Sequence, residues 1–100
     1  MRAEALTTKS SPDFLHYLIY FDLFSSTYLW QKAKNSPENL TFDEFETLLI
    51  QNGWEFSRQK GSHRLWYSPS GKPLPIQPRK DGKAKLYQIQ QFFEYQEGNQ

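Results

Sequence analysis

The sequence lacks cysteine entirely and has only two histidines, His16 and His63, among its 100 residues. The absence of cysteine excludes disulfide bonds, thiolate-bound metals and cysteine nucleophiles. The two histidines are far apart, and neither belongs to a cluster of carboxylates, so we predict no metal site. We also expect no small-molecule cofactor. Any reaction that this chain catalyses therefore depends on imidazole, hydroxyl, carboxylate or basic groups.

Long apolar runs are also missing from the sequence. The most apolar stretch, residues 14–30, is interrupted by His16, by Asp22 and by three hydroxyl residues at 25–27. It is too short and too broken to cross a bilayer. The N-terminus lacks the basic region and the clean apolar stretch of a secretory signal. We therefore expect a cytoplasmic protein that does not associate with a membrane.

Net charge is close to zero, but positive charge is concentrated in one part of the sequence. Residues 57–85 contain eight basic residues and one acidic residue, a net charge of +7. The remaining positions contain four basic and ten acidic residues, a net charge of −6, which leaves the chain at +1. This asymmetry is typical of a domain with a surface that binds a polyanion. Basic residues that only keep a surface soluble would give the same composition, so charge alone leaves both interpretations open.

The first third of the chain differs in composition from the rest. Residues 1–12 are polar and aperiodic, as in a disordered leader. Residues 13–30 place apolar groups on every face of a helix, so this segment is either a helix buried on several sides or an apolar surface that awaits a partner. A turn-forming stretch at residues 35–39 marks a boundary. We predict an aromatic-rich, helical N-terminal extension over residues 1–34, a compact domain over 35–96 and a disordered tail over 97–100.

The pattern of the compact domain predicts an α+β fold. Its elements follow the order helix, three strands, helix, at residues 42–51, 54–58, 62–67, 74–76 and 85–94. The first helix has a capping box at residues 41–44 and ends at Gly53, which can adopt a left-handed conformation. The apolar face of the last helix contains Leu86, Ile89 and Phe93. We predict a three-stranded antiparallel sheet with two helices on one face and the other face open.

The middle strand has two different faces. The side chains alternate between a set formed by His63, Leu65 and Tyr67 and a set formed by Arg64 and Trp66. One set has to meet the helices, and the alternation does not identify which. We expect Trp54, Phe56 and Trp66 to pack in the core, because a small domain needs large side chains to fill its interior.

Residues 58–64, with the sequence RQKGSHR, resemble a motif of the HicA family of toxin–antitoxin ribonucleases. Three more stretches resemble the same family in the same order, namely residues 35–42 before the first helix, 52–54 at its end and 82–88 at the start of the last helix. Gly-Ser-His alone is a weak motif, but four pieces in the right order and spacing make the resemblance strong. It covers residues 33–95, roughly two-thirds of the chain.

The resemblance implies a fold similar to the double-stranded-RNA-binding domain, α-β-β-β-α. It also implies that the chain cleaves messenger RNA and that an antitoxin protein of the HicB type neutralises it. In the family, the histidine of the Gly-Ser-His motif carries the activity, and the matching residue here is His63. Many members have a second histidine at the next position, where this chain has Arg64, so one helper group is missing. The segment before residue 31 has no counterpart in the family pattern.

A metal-independent ribonuclease can use the 2′-hydroxyl of RNA as its nucleophile. It then needs a base, an acid and cations near the phosphate. Histidine suits both proton roles because its reference pKa of about 6.5 keeps both forms available at neutral pH. We predict His63 as the base or the acid, with Tyr67, Lys60 or water as the second group. The small and basic residues near His63 and before the last helix are the predicted RNA-binding residues, namely Arg58, Lys60, Gly61, Ser62, Arg64, Lys83 and Lys85.

Two other functions also fit the sequence. The same fold could bind RNA by shape and phosphate contacts without cutting it, and then the lysines would be essential and His63 would not. The domain could instead bind a protein through its aromatic extension, and it would then show no salt-dependent affinity for RNA. The Gly-Ser-His run and the basic stretch around it favour the ribonuclease.

Overall fold

The computed structural model describes residues 27–98. Within this range the first helix, α1, occupies residues 27–35, and a 3-10 turn follows at Pro37–Asn39. The later elements are α2 (Phe42–Gln51), β1 (Glu55–Lys60), β2 (His63–Tyr67), β3 (Pro73–Ile76) and α3 (Leu86–Gly98). This order confirms the predicted α+β fold. The predicted leader and most of the aromatic segment lie outside the described residues. None of the described helices is long and apolar enough to cross a membrane.

Helix α2 begins and ends where its sequence predicts. The hydroxyl of Thr41 accepts a hydrogen bond from the amide of Glu44, and the carboxylate of Glu44 accepts one from the amide of Thr41, both at 3.0 Å. This reciprocal pair satisfies two amides of the first turn that have no partner inside the helix. After the last turn, Gly53 has a φ of 84°, which a side chain would strain. The predicted capping box and helix end are therefore confirmed.

The three strands form an antiparallel sheet in the order β1-β2-β3. Trp66 of β2 is buried together with Leu74 and Ile76 of β3, and Arg64 pairs with Ile76 across the strands. Because directly paired residues of an antiparallel sheet share a face, Arg64 and Trp66 belong to the face that the helices cover. We call this the inner face. His63, Leu65 and Tyr67, which alternate with them along β2, lie on the opposite, open face.

Strand β1 contains a β-bulge that the sequence pattern did not indicate. Phe56 pairs with Trp66, whereas Arg58, two residues further along β1, pairs with Leu65, only one residue away on β2. Ser57 is the additional residue. Regular alternation would place Arg58 on the same face as Phe56. The bulge shifts it to the open face instead.

The core lies between the inner face of the sheet and the helices. Trp54 and Trp66 are both 3 % exposed, as predicted. The prediction for Phe56 was wrong, because this side chain is 42 % exposed. The reason is that β1 is an edge strand, exposed along its whole length. The Phe56 ring contacts Trp66 at a centroid distance of 5.6 Å and lies 4.2 Å from the guanidinium carbon of Arg64.

Helix α1 packs against the same core. Leu29 and Ala33 are buried among the core residues of the compact domain. Trp30 contacts the ring of Phe93 edge-to-face, with 4.9 Å between ring centroids. Helix α1, most of which the sequence places in the N-terminal extension, thus contributes Leu29 and Ala33 to the core of the compact domain. The limits of the extension stay a prediction, since most of it lies outside the described range.

Helix α3 presents a different face to the core from the one that the sequence predicted. Ile89 and Phe93 are buried as expected, but Leu86 is 49 % exposed and Gln88 is only 3 % exposed. The prediction for Leu86 was wrong because the buried face is formed by residues 88, 89, 92 and 93, and Leu86 lies at its margin. A polar side chain therefore enters the core at the start of this helix.

The C-terminal end of α3 continues past the predicted domain limit at residue 96. Glu97 accepts a hydrogen bond of 2.6 Å from Nζ of Lys34 in α1. The same Nζ lies 4.3 Å from the centre of the Phe93 ring. These contacts support residues 97–98, which the sequence places in a disordered tail, as the last residues of the helix. Residues 99–100 lie outside the described part.

Candidate nucleic-acid interface

The β1–β2 turn places Gly61 and Ser62 between Lys60 and His63. Gly61 has a φ of 61°, in the left-handed region that tight hairpin turns require. No atom lies within 4 Å of the position that a Cβ would occupy there, so conformation and not crowding favours glycine. Nε2 of Gln59 donates a 2.9 Å hydrogen bond to the carbonyl oxygen of Gly61. The turn is therefore fixed by its backbone and by one side chain of β1.

Three chemically active side chains share the open face next to this turn. His63 pairs directly with Lys60, and Arg58 pairs with Leu65, so all of them point to the same side of the sheet. Arg58, Lys60 and His63 are exposed. Over residues 27–98, the structure gives none of these three side chains a hydrogen bond or an ion pair. Two cations and one imidazole are thus available to a ligand.

Arg64 faces the other way and its charge is already paired. Its Nε donates to Oε2 of Glu46 in a close ion pair, and one terminal nitrogen donates to Oε1 of Gln59 at 2.8 Å. The same oxygen of Glu46 accepts a 3.0 Å hydrogen bond from the indole of Trp66. The structure therefore separates Arg64 from His63, although the two are neighbours in the sequence.

Lys83 and Lys85 lie in the segment before α3, which packs against the start of α2. Lys83 pairs with Thr41 in an isolated β-bridge, and the amide of Phe42 donates to the carbonyl oxygen of Gly82 at 2.9 Å. Both lysine side chains are half-buried and, in the described part of the chain, form no ion pair. No described contact joins either lysine to the β1–β2 turn. They form a second basic cluster, separate from Arg58 and Lys60.

Asp81 shapes the loop that carries these lysines. Its carboxylate accepts a 3.0 Å hydrogen bond from the amide of Lys83 and forms an ion pair with Arg79 at 2.9 Å. The hydrogen bond from the Lys83 amide is the main reason that the pKa of Asp81 lies below its usual value, and the charges of Arg79 and Lys83 add to it. Arg79 is therefore paired, unlike the lysines beside it.

Two glutamines connect the β1–β2 turn to the start of α3. Nε2 of Gln77 donates to Oγ of Ser62 at 3.2 Å. The backbone amide of Gln77 donates to Oε1 of Gln88 at 3.1 Å. The sequence did not indicate either glutamine, because an amide side chain is uncharged and does not contribute to a hydrophobic pattern. Gln90 and Gln91 lie in the same stretch of the helix, so the sequence contains no signal that sets Gln88 apart.

The described residues offer no group of three histidine or carboxylate side chains that could hold a metal ion. Residues 42–95 of the chain match a family model described as the HicA toxin of bacterial toxin-antitoxin systems. The match covers more than half of the chain and includes α2, the whole sheet, the β1–β2 turn and most of α3. Helix α1 lies outside it. No curated protein and no solved structure gives a significant match.

Proposed function

Because the chain belongs to the HicA toxin family of bacterial toxin-antitoxin systems, we propose that it is a metal-independent endoribonuclease that cleaves messenger RNA and has His63 as its catalytic residue. The observation that supports this proposal is the unpaired group of Arg58, Lys60 and His63 on the open face of the sheet. We further propose an antitoxin protein of the HicB type as the partner, since a toxin of such a system implies an antitoxin.

The chemistry that we propose starts with the 2′-hydroxyl of the RNA. The 2′-oxygen attacks the adjacent phosphorus and the P–O5′ bond breaks, which leaves a 2′,3′-cyclic phosphate and a free 5′-hydroxyl. His63 takes the proton of the 2′-hydroxyl or gives a proton to the leaving 5′-oxygen, and a second group performs the other proton transfer. Lys60 and Arg58 stabilise the additional negative charge on the phosphate oxygens. Gly61 allows close approach of the backbone, and the hydroxyl of Ser62 donates to a phosphate oxygen. No step needs a metal ion or a cofactor.

The second proton-transfer group is best assigned to Lys60 or to a water molecule. Lys60 is the direct cross-strand partner of His63. Tyr67 lies on the same face but four residues further along β2, a distance of roughly 13 Å at the usual rise per residue. A single phosphodiester cannot contact both ends of that span. We therefore keep Tyr67 only as a side chain that could stack on a base.

The structure supports a different role for Arg64 from the phosphate contact that its position in the motif predicts. Its guanidinium already has two acceptors, Glu46 and Gln59, on the inner face. We propose that Arg64 fixes β2 against α2 and does not touch RNA. For Lys83 and Lys85 we keep the proposed phosphate contact. RNA would then extend from the β1–β2 turn toward the start of α3.

The test compares wild type, His63→Ala and His16→Ala, the variant of the other histidine. Each is expressed from an inducible promoter while growth and total messenger RNA are followed. Each purified protein is also incubated with RNA in excess chelator. We expect His63→Ala to lower the cleavage rate by about 10²- to 10⁴-fold, which is the usual contribution of a general acid or base. We expect His16→Ala to cleave like wild type, and wild type and His63→Ala to unfold at the same temperature within about 2 °C, because His63 is exposed.

The alternative function is an RNA-binding module without catalysis. This alternative is favoured by the number of histidines. Residues 27–98 contain a single histidine, so no second imidazole is available there for the other proton transfer. In that case wild type and His63→Ala would bind RNA equally and neither would cut it. Such a result would refute the catalytic role of His63 and leave the basic open face as the functional surface.

A further inference from the structure

Gln88 is the one polar side chain that the described residues bury in the core, at 3 % exposure. Burial of an amide is costly unless its groups are hydrogen-bonded. Oε1 of Gln88 accepts from the amide of Gln77 at 3.1 Å, and Nε2 donates to the hydroxyl of Tyr87 at 3.2 Å. An apolar side chain of similar size would fill the same space without any need for partners. We therefore ask which groups the two hydrogen bonds of Gln88 fix in place.

Gln88 is connected to the β1–β2 turn through Gln77. Oε1 of Gln88 accepts a hydrogen bond from the backbone amide of Gln77, the first residue after β3. This bond fixes the backbone at Gln77. The side chain of the same Gln77 reaches back and donates Nε2 to Oγ of Ser62 at 3.2 Å. A chain of two hydrogen bonds thus connects the start of α3 with the residue before His63.

The direction of these bonds constrains the hydroxyl of Ser62. A serine hydroxyl has one proton to donate and two lone pairs that accept. Gln77 can only donate through Nε2, so it occupies one of the lone pairs and leaves the proton free. The donated bond also polarises the hydroxyl and makes it a better donor. Ser62 is exposed, so a phosphate oxygen can receive that proton.

We propose that Gln88 and Gln77 are positioning residues for the reaction, which orient the hydroxyl of Ser62 and the turn before His63 toward the scissile phosphate. This inference rests on the proposed function of His63 and Ser62. Neither glutamine touches the reacting atoms. Their contribution is to reduce the number of orientations that the turn can adopt before RNA binds.

The experiment is a double-mutant cycle on the turnover rate of a short RNA, with the variants Gln77→Ala, Ser62→Ala and their combination. We expect Gln77→Ala to lower the turnover rate by about tenfold. In the Ser62→Ala background, the same change should cost less than about twofold, because its target is already gone. Equal losses in both backgrounds, or no loss in either, would overturn the proposal. A merely structural role for Gln77 predicts equal losses.

A second measurement does not depend on catalysis. Backbone amide NMR shifts are compared for wild type, Gln88→Met and the control Gln90→Met, which changes an exposed glutamine of the same helix. We expect the amides of Ser62 and His63 to shift in Gln88→Met and to stay in place in Gln90→Met. Absence of this shift contradicts the proposal even if wild type cleaves RNA. If wild type does not cleave RNA but the shift is present, the proposed function fails and the connection stands. If Gln88→Met does not fold, the same comparison is made with Gln77→Ala, and unchanged amide shifts of Ser62 and His63 would contradict the proposal.

Discussion

Each face of the sheet contains an arginine of the β1–β2 hairpin, and the two arginines have opposite roles. Arg64 on the inner face has Glu46 and Gln59 as acceptors, whereas Arg58 on the open face has no partner among residues 27–98. Both arginines belong to one hairpin, but they point to opposite sides of the sheet, and Arg58 lies on the edge strand β1 whereas Arg64 lies on the central strand β2. The comparison shows that pairing, and not residue type, decides whether a basic residue supports the fold or remains available to a ligand.

The physical reason lies in the cost of removing charge from water. A half-buried guanidinium needs a carboxylate and further hydrogen-bond acceptors to compensate its lost hydration. Glu46 provides this on the inner face, and its side chain is only 16 % exposed. The open face is hydrated, so Arg58 and Lys60 need no such partner. Glu55, the carboxylate at the far end of β1, pairs with Tyr67 and lies at the opposite end of the strand from the turn. Positive charge is therefore concentrated beside His63.

The substitution for which we expect the largest effect is Glu46→Ala, on the inner face. The change leaves the guanidinium of Arg64 and the indole N–H of Trp66 without their shared acceptor. Loss of a partner for half-buried polar groups costs about 1–3 kcal/mol, so we expect a free energy of unfolding lower by about 2 kcal/mol. Urea unfolding measures it. Turnover of RNA per folded molecule should stay within about twofold of wild type.

The control for this variant is Glu55→Ala, which removes the carboxylate of the open face. We expect its free energy of unfolding to change by less than about 0.5 kcal/mol, because Glu55 is exposed and forms no described ion pair. Equal destabilisation by both variants would mean that the two faces do not differ in the way that the structure indicates.

The sequence predicted those parts of the fold that depend on local chemistry. The capping box at residues 41–44 and the end of α2 at Gly53 follow from contacts within a few residues of each other, and the order of the strands follows from the short turns that join them. Phe56 and Leu86 were placed wrongly because burial at an edge strand or at a helix margin depends on elements that are distant in the sequence. Periodicity identifies a face but does not show how much of it is covered.

The site was predicted less completely than the fold. Periodicity could not reveal the bulge at Ser57, since a bulge is a property of the pairing between two strands and not of either strand alone. Without the bulge, Arg58 would be assigned to the inner face. Gln77 and Gln88 were not identified because their hydrogen bonds join residues that are distant in the sequence. The position of His63 next to the turn was the part of the site that the motif did provide.

The second prediction concerns the cations of the open face. We expect the double variant of Arg58→Gln and Lys60→Gln to weaken binding of single-stranded RNA by about tenfold at moderate salt. The slope of log affinity against log salt should become less steep by roughly 0.7 for each lost phosphate contact. The free energy of unfolding should change little, because neither side chain has a partner within the described residues. Fluorescence anisotropy over a range of salt concentrations measures the affinity, and all of these variants are made in a His63→Ala background, in which we expect RNA cleavage to be slow.

Lys72 provides the matched control for charge. It lies between β2 and β3, at the opposite end of β2 from His63. Lys72→Gln removes one positive charge from the β2–β3 connection, and we expect its salt dependence to match that of the His63→Ala background. If Lys72→Gln weakens binding as much as a single variant at Arg58 or Lys60, RNA is attracted by overall charge and the open face beside His63 is not its specific site.

The smallest effect is expected at an ion pair outside both faces, between Lys32 of α1 and Glu44 of α2, at 2.9 Å. Burial raises the pKa of Glu44, but hydrogen bonds from Thr41 and Lys32 outweigh it and hold the pKa below the usual value of 4.5. Since the folded pKa is lower than the unfolded one, the pair stabilises the protein above the unfolded value and the stabilisation is lost as pH falls through the folded value. We expect Glu44→Gln, which retains an oxygen for the capping box, to cost less than about 1 kcal/mol at pH 7 and progressively less as the pH falls below 4.5. Urea unfolding across this range measures it. A cost that stays constant with pH would show that the capping geometry, and not the charge of Glu44, connects α1 to the domain.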